Sequence, residues 1–440
     1  MHEQDRALSL AESVLTAAKS ADQAQVTVTI TDASYARFAR SYVTQNLESQ
    51  QTNISLTYYI GKKAGTVNSA DASPDGIARL VAKAKEIAQR VPPDNDFVSL
   101  PKPQELPAAV PSFFASTSDA TPDDRVEKLL PVFARMKRSN LYSSGFTTTQ
   151  TQTLAIANSL GVRVAYTGTN GGIQVKAMAP QTSGYAEAYA LDYSTIDTEP
   201  IAERAAMKAT VSSTPADFAP GRYTVVMEPS AFQSAVKALL EGIDASNVLD
   251  EKDSWMIGRL GKPILSPNFT LRSDWSNPQL ANPPFDPSDG SPVKKFTFID
   301  KGVPLAYSAS TYMSNKFHVP ATGVANSMVI DPGTKSYDDL IGSVERGVLI
   351  SRTWYERVVD PRQAAITGLT RDGVYAIENG KLTKALKNFR YFVSMVEVMK
   401  DVEFSNRATL CEPEDDLGYQ CVLPDAKIAN FNLAAQTSFA

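Results

Sequence analysis

Histidine is almost missing from this chain: His2 and His318 are its only two imidazoles in 440 residues. Histidine-rich zinc sites and the common Ser–His and Cys–His nucleophile pairs all need a positioned imidazole. His2 sits at a terminus prone to fraying, and His318 lies among loop-forming residues in YMSNKFHVPATG. Cysteine is as scarce. Cys411 and Cys421 read as two reduced thiols of a cytoplasmic protein, with a disulfide across the short loop as the rival. A zinc site on the pair lacks two further ligands, and two histidines do not readily supply them. No stretch approaches the roughly 18 apolar residues of a membrane span. There is no Lys/Arg block either; net charge is −5, which argues against nucleic acid as the main ligand.

Other signatures are absent too. No GxGxxG falls between a strand and a helix, and no Walker-type phosphate loop appears. TNGGIQ and DPSDGSP read as glycine-bearing turns, the second without the Glu and spacing of a calcium loop. The pairs Asp338–Asp339 and Asp415–Asp416 read as solvated loop charges.

What is present is an alternation of helical and strand patterns, which predicts an α+β fold in two domains. The opening segment has apolar positions Leu8, Ala11, Val14, Leu15 and Ala18, an amphipathic helix and not an export signal, consistent with a cytoplasmic location. Strands follow, turning at Gly61-Lys62-Lys63. A helix then starts with Ser73 at the N-cap and Pro74 in the first turn. Residues 91–123 form a Pro-rich connector within an N-terminal domain of residues 1–215. A helix from about 124, a meander with turns near Gly161 and Asn170-Gly171, and a helix over TIDTEPIAERAAMKATVSS complete it. Residues 216–440 are expected to be the β-rich C-terminal domain, with hairpins at Asp300-Lys301-Gly302 and Asn379-Gly380 and a last strand near LPDAKIANFNLA.

One helix in that half poses the functional question. In PSAFQSAVKALLEGI, Phe232, Ala235, Val236, Leu239, Leu240 and Ile243 recur at helical spacing and predict a core-facing stripe. Ser230 and Gln233 have the spacing of a capping box. Ser234, Lys237 and Glu241 occupy the other face, so the residues alone describe a structural helix.

Several stretches, taken in order, resemble the TldD/TldE (PmbA) peptidase family. They include YARFARSYVTQN, IANSLGVRV, PGRYTVVMEPSAF, PPFDPSDGSPVKKFTFIDKGVPLAYSASTYMSNKF, AITGLTRDGVYAIENGKL and LPDAKIANF, and together they cover most of the chain. The resemblance implies a C-terminal domain made of a strongly curved, mostly antiparallel sheet around central helices. In the metal-bearing subunit of that family this helix carries a His-Glu-x-x-x-His zinc motif, with a Cys near the C-terminus as a further ligand. Here Gln233 and Ala238 stand where the histidines would be and Ser234 where the Glu would be; Cys411 or Cys421 corresponds to the terminal Cys. The resemblance therefore implies a divergent, TldE-like, metal-free subunit with no cofactor of its own. Its partner would be a metal-bearing TldD-like subunit carrying the zinc, and its substrate an unfolded peptide clipped in an enclosed chamber. Two other readings stand beside it: a self-associating peptide-binding scaffold, homodimeric when isolated, and an autonomous metal-independent hydrolase. Arg352, Trp354, Tyr355, Arg371, Asn388 and Arg390 cluster in the β-rich half and are the candidates for gripping a peptide main chain.

Overall fold

Two sheets organise the residues that the computed structural model describes, 3–324, 327–411 and 420–437. The first is built from β1 (Gln23–Ala39), β2 (Tyr42–Ile60), β3 (Lys63–Ser69), β4 (Tyr142–Asn158), β5 (Arg163–Met178) and β6 (Ser183–Ala190) in the order β3-β2-β1-β4-β5-β6. Every neighbouring pair is antiparallel. Strict alternation drives this: Val26, Val28 and Ile30 on β1 and Ile54, Leu56 and Tyr58 on β2 turn inward. Helices α1 (Glu3–Ala17) and α2 (Pro74–Arg90) cover that face through Ala7, Ala11, Val14, Leu80 and Ala84. The expected start of α2 is present, with the Ser73 hydroxyl accepting from the Gly76 amide and Pro74 in the first turn. The connector runs without helix or strand from Val91 to Phe114. It ends in the short α3 (Ala115–Ser118), after which α4 (Pro122–Arg138) and α5 (Thr198–Ala209) pack on the other end of the sheet.

One expected turn is not there. Asn170, Gly171 and Gly172 lie inside β5, all three paired with β4 and the two glycines with β6 as well. The glycines serve proximity instead of reversal: a Cβ on Gly171 would lie 2.7 Å from the Tyr193 ring, and one on Gly172 would lie 2.2 Å from the Tyr189 ring. A strand interior accepts glycine where something presses closely on the backbone.

The second sheet starts with β7 (Gly221–Met227), which leads into α6 (Pro229–Glu241). It continues with β8 (Leu271–Ser273), β9 (Phe296–Asp300), β10 (Val303–Pro304), α7 (Thr311–Phe317), β11 (Ser327–Ile330) and α8 (Tyr337–Gly342). The long strands β12 (Arg346–Asp360) and β13 (Ala365–Glu378) follow, then β14 (Lys381–Ala385), β15 (Phe389–Ser394), α9 (Met395–Val398), β16 (Val402–Cys411) and β17 (Gln420–Gln436). The sheet is mostly antiparallel, the exceptions among the described pairings being β11 with β17 and β12 with β7. Its path β17-β15-β13-β12-β7 closes on itself because β7 pairs with β17 as well. Helix α6 packs against β12, β17, β16, β13 and β7 of this strongly curved sheet.

Both expected hairpins form. Asp300-Lys301-Gly302 joins β9 to β10, and Asn379 and Gly380 take φ of 50° and 74° between β13 and β14, the mirror-image turn that suits strand twist. Asp338 and Asp339, by contrast, are not loop charges. They open α8, where Asp339 completes a capping box with Ser336 and gives the helix two anions at its positive end. Asp415, Asp416 and His2 lie outside the described residues. Among those described, no helix is long and apolar enough to cross a membrane.

Candidate functional site

Helix α6 is held from below by a buried charge pair. Pro229 takes its first position and Glu228 its N-cap, but the Glu228 side chain makes no capping bond. It turns to Lys208 of α5, whose ammonium donates to the Glu228 carboxylate, to the Tyr185 carbonyl at 2.8 Å and to the Ser351 Oγ at 3.0 Å. The Tyr337 hydroxyl donates to the other Glu228 oxygen at 3.0 Å. The capping box expected from Ser230 and Gln233 does not form. Proline moves the helix start two residues earlier, and Gln233 points inward at 3% exposure, its Nε2 without a hydrogen-bond partner. Burial pushes the Lys208 ammonium below its usual range, opposed by Glu228. Burial also pushes the Glu228 carboxyl up, but the Lys208 charge and hydrogen bond outweigh it and hold the group below normal. The pair is thus an ionised one, closed off from water.

Asp425 on β17 lies against this cluster. Its carboxyl is pushed up to about 6, first by burial and then by the Glu228 charge, against the Ser405 hydrogen bond and the Arg204 charge. The unfolded chain loses this proton near pH 3.8 and the folded chain near pH 6, so between those values the folded state binds more protons. Stability from this group therefore falls as pH rises through that window and levels off above it. We expect Asp425→Asn to be more stable than the parent at pH 7 by on the order of 2 kcal/mol, with the gap closing by pH 4. Urea unfolding of both proteins across that range measures it; a gap that does not change with pH contradicts the assignment.

The outer face of α6 borders open space. Ser234, Lys237, Ala238 and Glu241 face Glu356, Arg357 and Val358 of β12 across a groove of about 290 Å³. Strand β7 pairs with β12 only over Gly347–Ile350, so the groove follows the part of β12 beyond that pairing. Glu241 also borders a larger cleft of about 860 Å³ between the two sheets. Thr27, Gln150 and Gln152 supply its N-terminal wall, and Asp244, Asn282 and Asp286 the other. Asp286 is occupied in holding its loop, accepting from the Ser288 amide at 2.8 Å and the Val324 amide at 3.0 Å. The site offers amides, hydroxyls and carboxylates along a channel, a lining that suits an extended main chain.

The six residues singled out from the sequence divide into two groups, and none of them borders either space. Arg352 is mostly covered: it bonds Asp372 at 3.0 Å and lies over the Tyr185 ring. Asp372 is a hub, also paired with Lys176 of β5 and with Arg371 at 3.3 Å. Asn388 is buried, its Oδ1 accepting from the Thr370 hydroxyl at 3.3 Å. Trp354 and Tyr355 are exposed, at 44% and 55%. Arg371 stacks on Trp354, and Arg357 on Tyr355, both at 4.4 Å. Arg390 is exposed on the neighbouring strand, opposite Leu369. Sequence reasoning missed Lys208 and Glu228. The signal was a lysine set into the alanine-rich face Ile201, Ala202, Ala205, Ala206, Ala209, where a cation has no business without a partner.

The profile of the PmbA/TldA metallopeptidase C-terminal domain matches residues 220–435, and that of the central domain matches residues 115–212. The chain belongs to the PmbA/TldD family. Its fold is that of TldE from Thermococcus kodakarensis, with a TM-score of 0.84 at 18% identity over 96% of this chain and 98% of that one. A candidate DNA gyrase modulator from Thermotoga maritima superposes at 0.81, with 16% identity over 97% and 98%. Another from Bacteroides thetaiotaomicron also gives 0.81, with 17% identity over 98% and 99%. No curated protein matches the sequence.

A metallopeptidase family raises the question of whether these residues fit a metal. Where the family resemblance would place the zinc motif, α6 carries the Gln233 amide, the Ser234 hydroxyl and the Ala238 methyl. Neutral amides and hydroxyls are poor zinc donors beside imidazole, thiolate and carboxylate. Among the described residues no three His, Cys, Asp or Glu side chains converge. The donor set does not fit zinc.

Proposed function

We propose that this chain is the metal-free, TldE-like subunit of a two-component PmbA/TldD-type peptidase. It holds an extended, unfolded peptide along the groove and cleft beside α6, while a metal-bearing TldD-like partner supplies zinc, the attacking water and the general base. The reading rests on the chemistry of α6, which offers Gln233, Ser234 and Ala238 where the resemblance would place the family's zinc motif. The likeness to TldE from Thermococcus kodakarensis supports it further.

The test is reconstitution. The chain purified alone with added zinc should leave an unfolded peptide intact, and mixing it with the metal-bearing homologue encoded nearby should yield a heteromer that cleaves it. Stoichiometric zinc bound by the isolated chain would refute the proposal. So would hydrolysis by the isolated chain in excess chelator, or a stable homodimer that ignores the homologue.

A further inference from the structure

The two cysteines face each other across a β-ladder. Strand β16 ends at Cys411, β17 begins one residue before Cys421, and the two residues are paired directly across the antiparallel ladder. Both are thiols and both are buried, at 1% and 0% exposure. The Cys411 Sγ donates to the Thr409 carbonyl at 3.4 Å.

Position on the ladder decides what these thiols can do. Residues directly opposite in an antiparallel pair have Cα atoms about 4.5–5.5 Å apart, inside the roughly 4.4–6.8 Å range that a disulfide spans. Their Cβ atoms start about 4.5–5.5 Å apart, and a disulfide draws them to about 3.5–4.5 Å. The bond is therefore within reach but slightly strained, and strained disulfides are the easily reduced, labile ones.

We propose that Cys411 and Cys421 are a reversible redox site, converted to a cross-strand disulfide by a small-molecule disulfide. One cysteine, as thiolate, attacks a sulfur of the small disulfide, forms a mixed disulfide and expels the first small thiolate. The second thiolate attacks the protein sulfur of that mixed disulfide, closes the Cys411–Cys421 bond and expels the second. The protein loses two electrons and two protons; the small disulfide gains both and leaves as two thiols. The site adjoins the cleft. Gln420, next to Cys421, borders it and accepts from the Ala281 amide at 3.2 Å. Val422 on the other side packs with Leu191, Leu280 and Leu410 across the seam between the sheets. Oxidation thus pins the part of β17 that forms one rim of the cleft.

The folded full chain is incubated with oxidised glutathione, quenched in acid, unfolded and alkylated. The expected product is a monomer lighter by two hydrogens with no alkylatable thiol, restored to two thiols by dithiothreitol. Cys411→Ser and Cys421→Ser should each stop at the mixed disulfide, one glutathionyl group heavier. Two fully alkylated thiols after prolonged exposure would overturn the proposal, as would glutathione retained on both cysteines of the parent, or a disulfide-linked dimer.

Discussion

Lys208→Met is expected to lower the unfolding free energy by about 3–5 kcal/mol, because it strands a buried carboxylate. Methionine replaces the aliphatic stem closely enough that packing changes little. What is lost is the ammonium that neutralises Glu228 and donates to the Tyr185 carbonyl and Ser351. Glu228→Gln alone leaves the opposite charge stranded and should cost a comparable amount. The double variant removes both charges and should recover much of the loss, since a buried ion pair is worth little against a neutral replacement. Urea unfolding of the parent, both single variants and the double variant gives the coupling directly. A Lys208→Met protein within about 0.5 kcal/mol of the parent would mean that Glu228 finds another way to shed its charge.

Phe232→Ala is expected to cost about 3–5 kcal/mol as well, the range for deleting a fully buried aromatic ring. Phe232 is at 0% exposure and its ring centroid lies 5.7 Å from that of Phe404 on β16. Around it the curved sheet is closed, which limits how far the site can collapse into the space left behind. Ser234→Ala, two residues along on the outer face, should stay within about 0.5 kcal/mol. Thermal unfolding of the two variants side by side separates the supporting face of α6 from the face that borders the groove. Equal effects would contradict that division of the helix.

The periodic signals were the legible ones. The stripe of α6 is buried throughout, Phe232, Ala235, Val236, Leu239, Leu240 and Ile243 alike, because a 3.6-residue period leaves one face for the core. Ser73 and Asn379-Gly380 worked for a similar reason, since caps and tight turns depend on local chemistry. Local rules failed where a distant partner competed. Glu228 sits at the N-cap but turns to Lys208, and the Ser230–Gln233 box was not made because Pro229 already opens the helix. Asn170-Gly171 carries a turn signature, but aromatic rings from Tyr189 and Tyr193 claim the space above it. The site was harder still. Thr27, Gln150 and Asp244 meet at one cleft from three distant parts of the chain, and no spacing in the sequence records that encounter. Trp354 and Tyr355 stood out as residue types, but their outward placement depends on how β12 extends past β7.

Strand β17 has a consequence for how the molecule is made. It pairs with β11 and β16 near its start, with β7 along its middle and with β15 at its end. Every one of those partners leaves the ribosome earlier. Until β17 emerges, β7 lacks one of its two neighbours and the greasy side of α6 has an open flank. The nascent C-terminal half must wait, with apolar surface uncovered, for a clasp that follows every strand it joins, and that interval is when it is most exposed to aggregation.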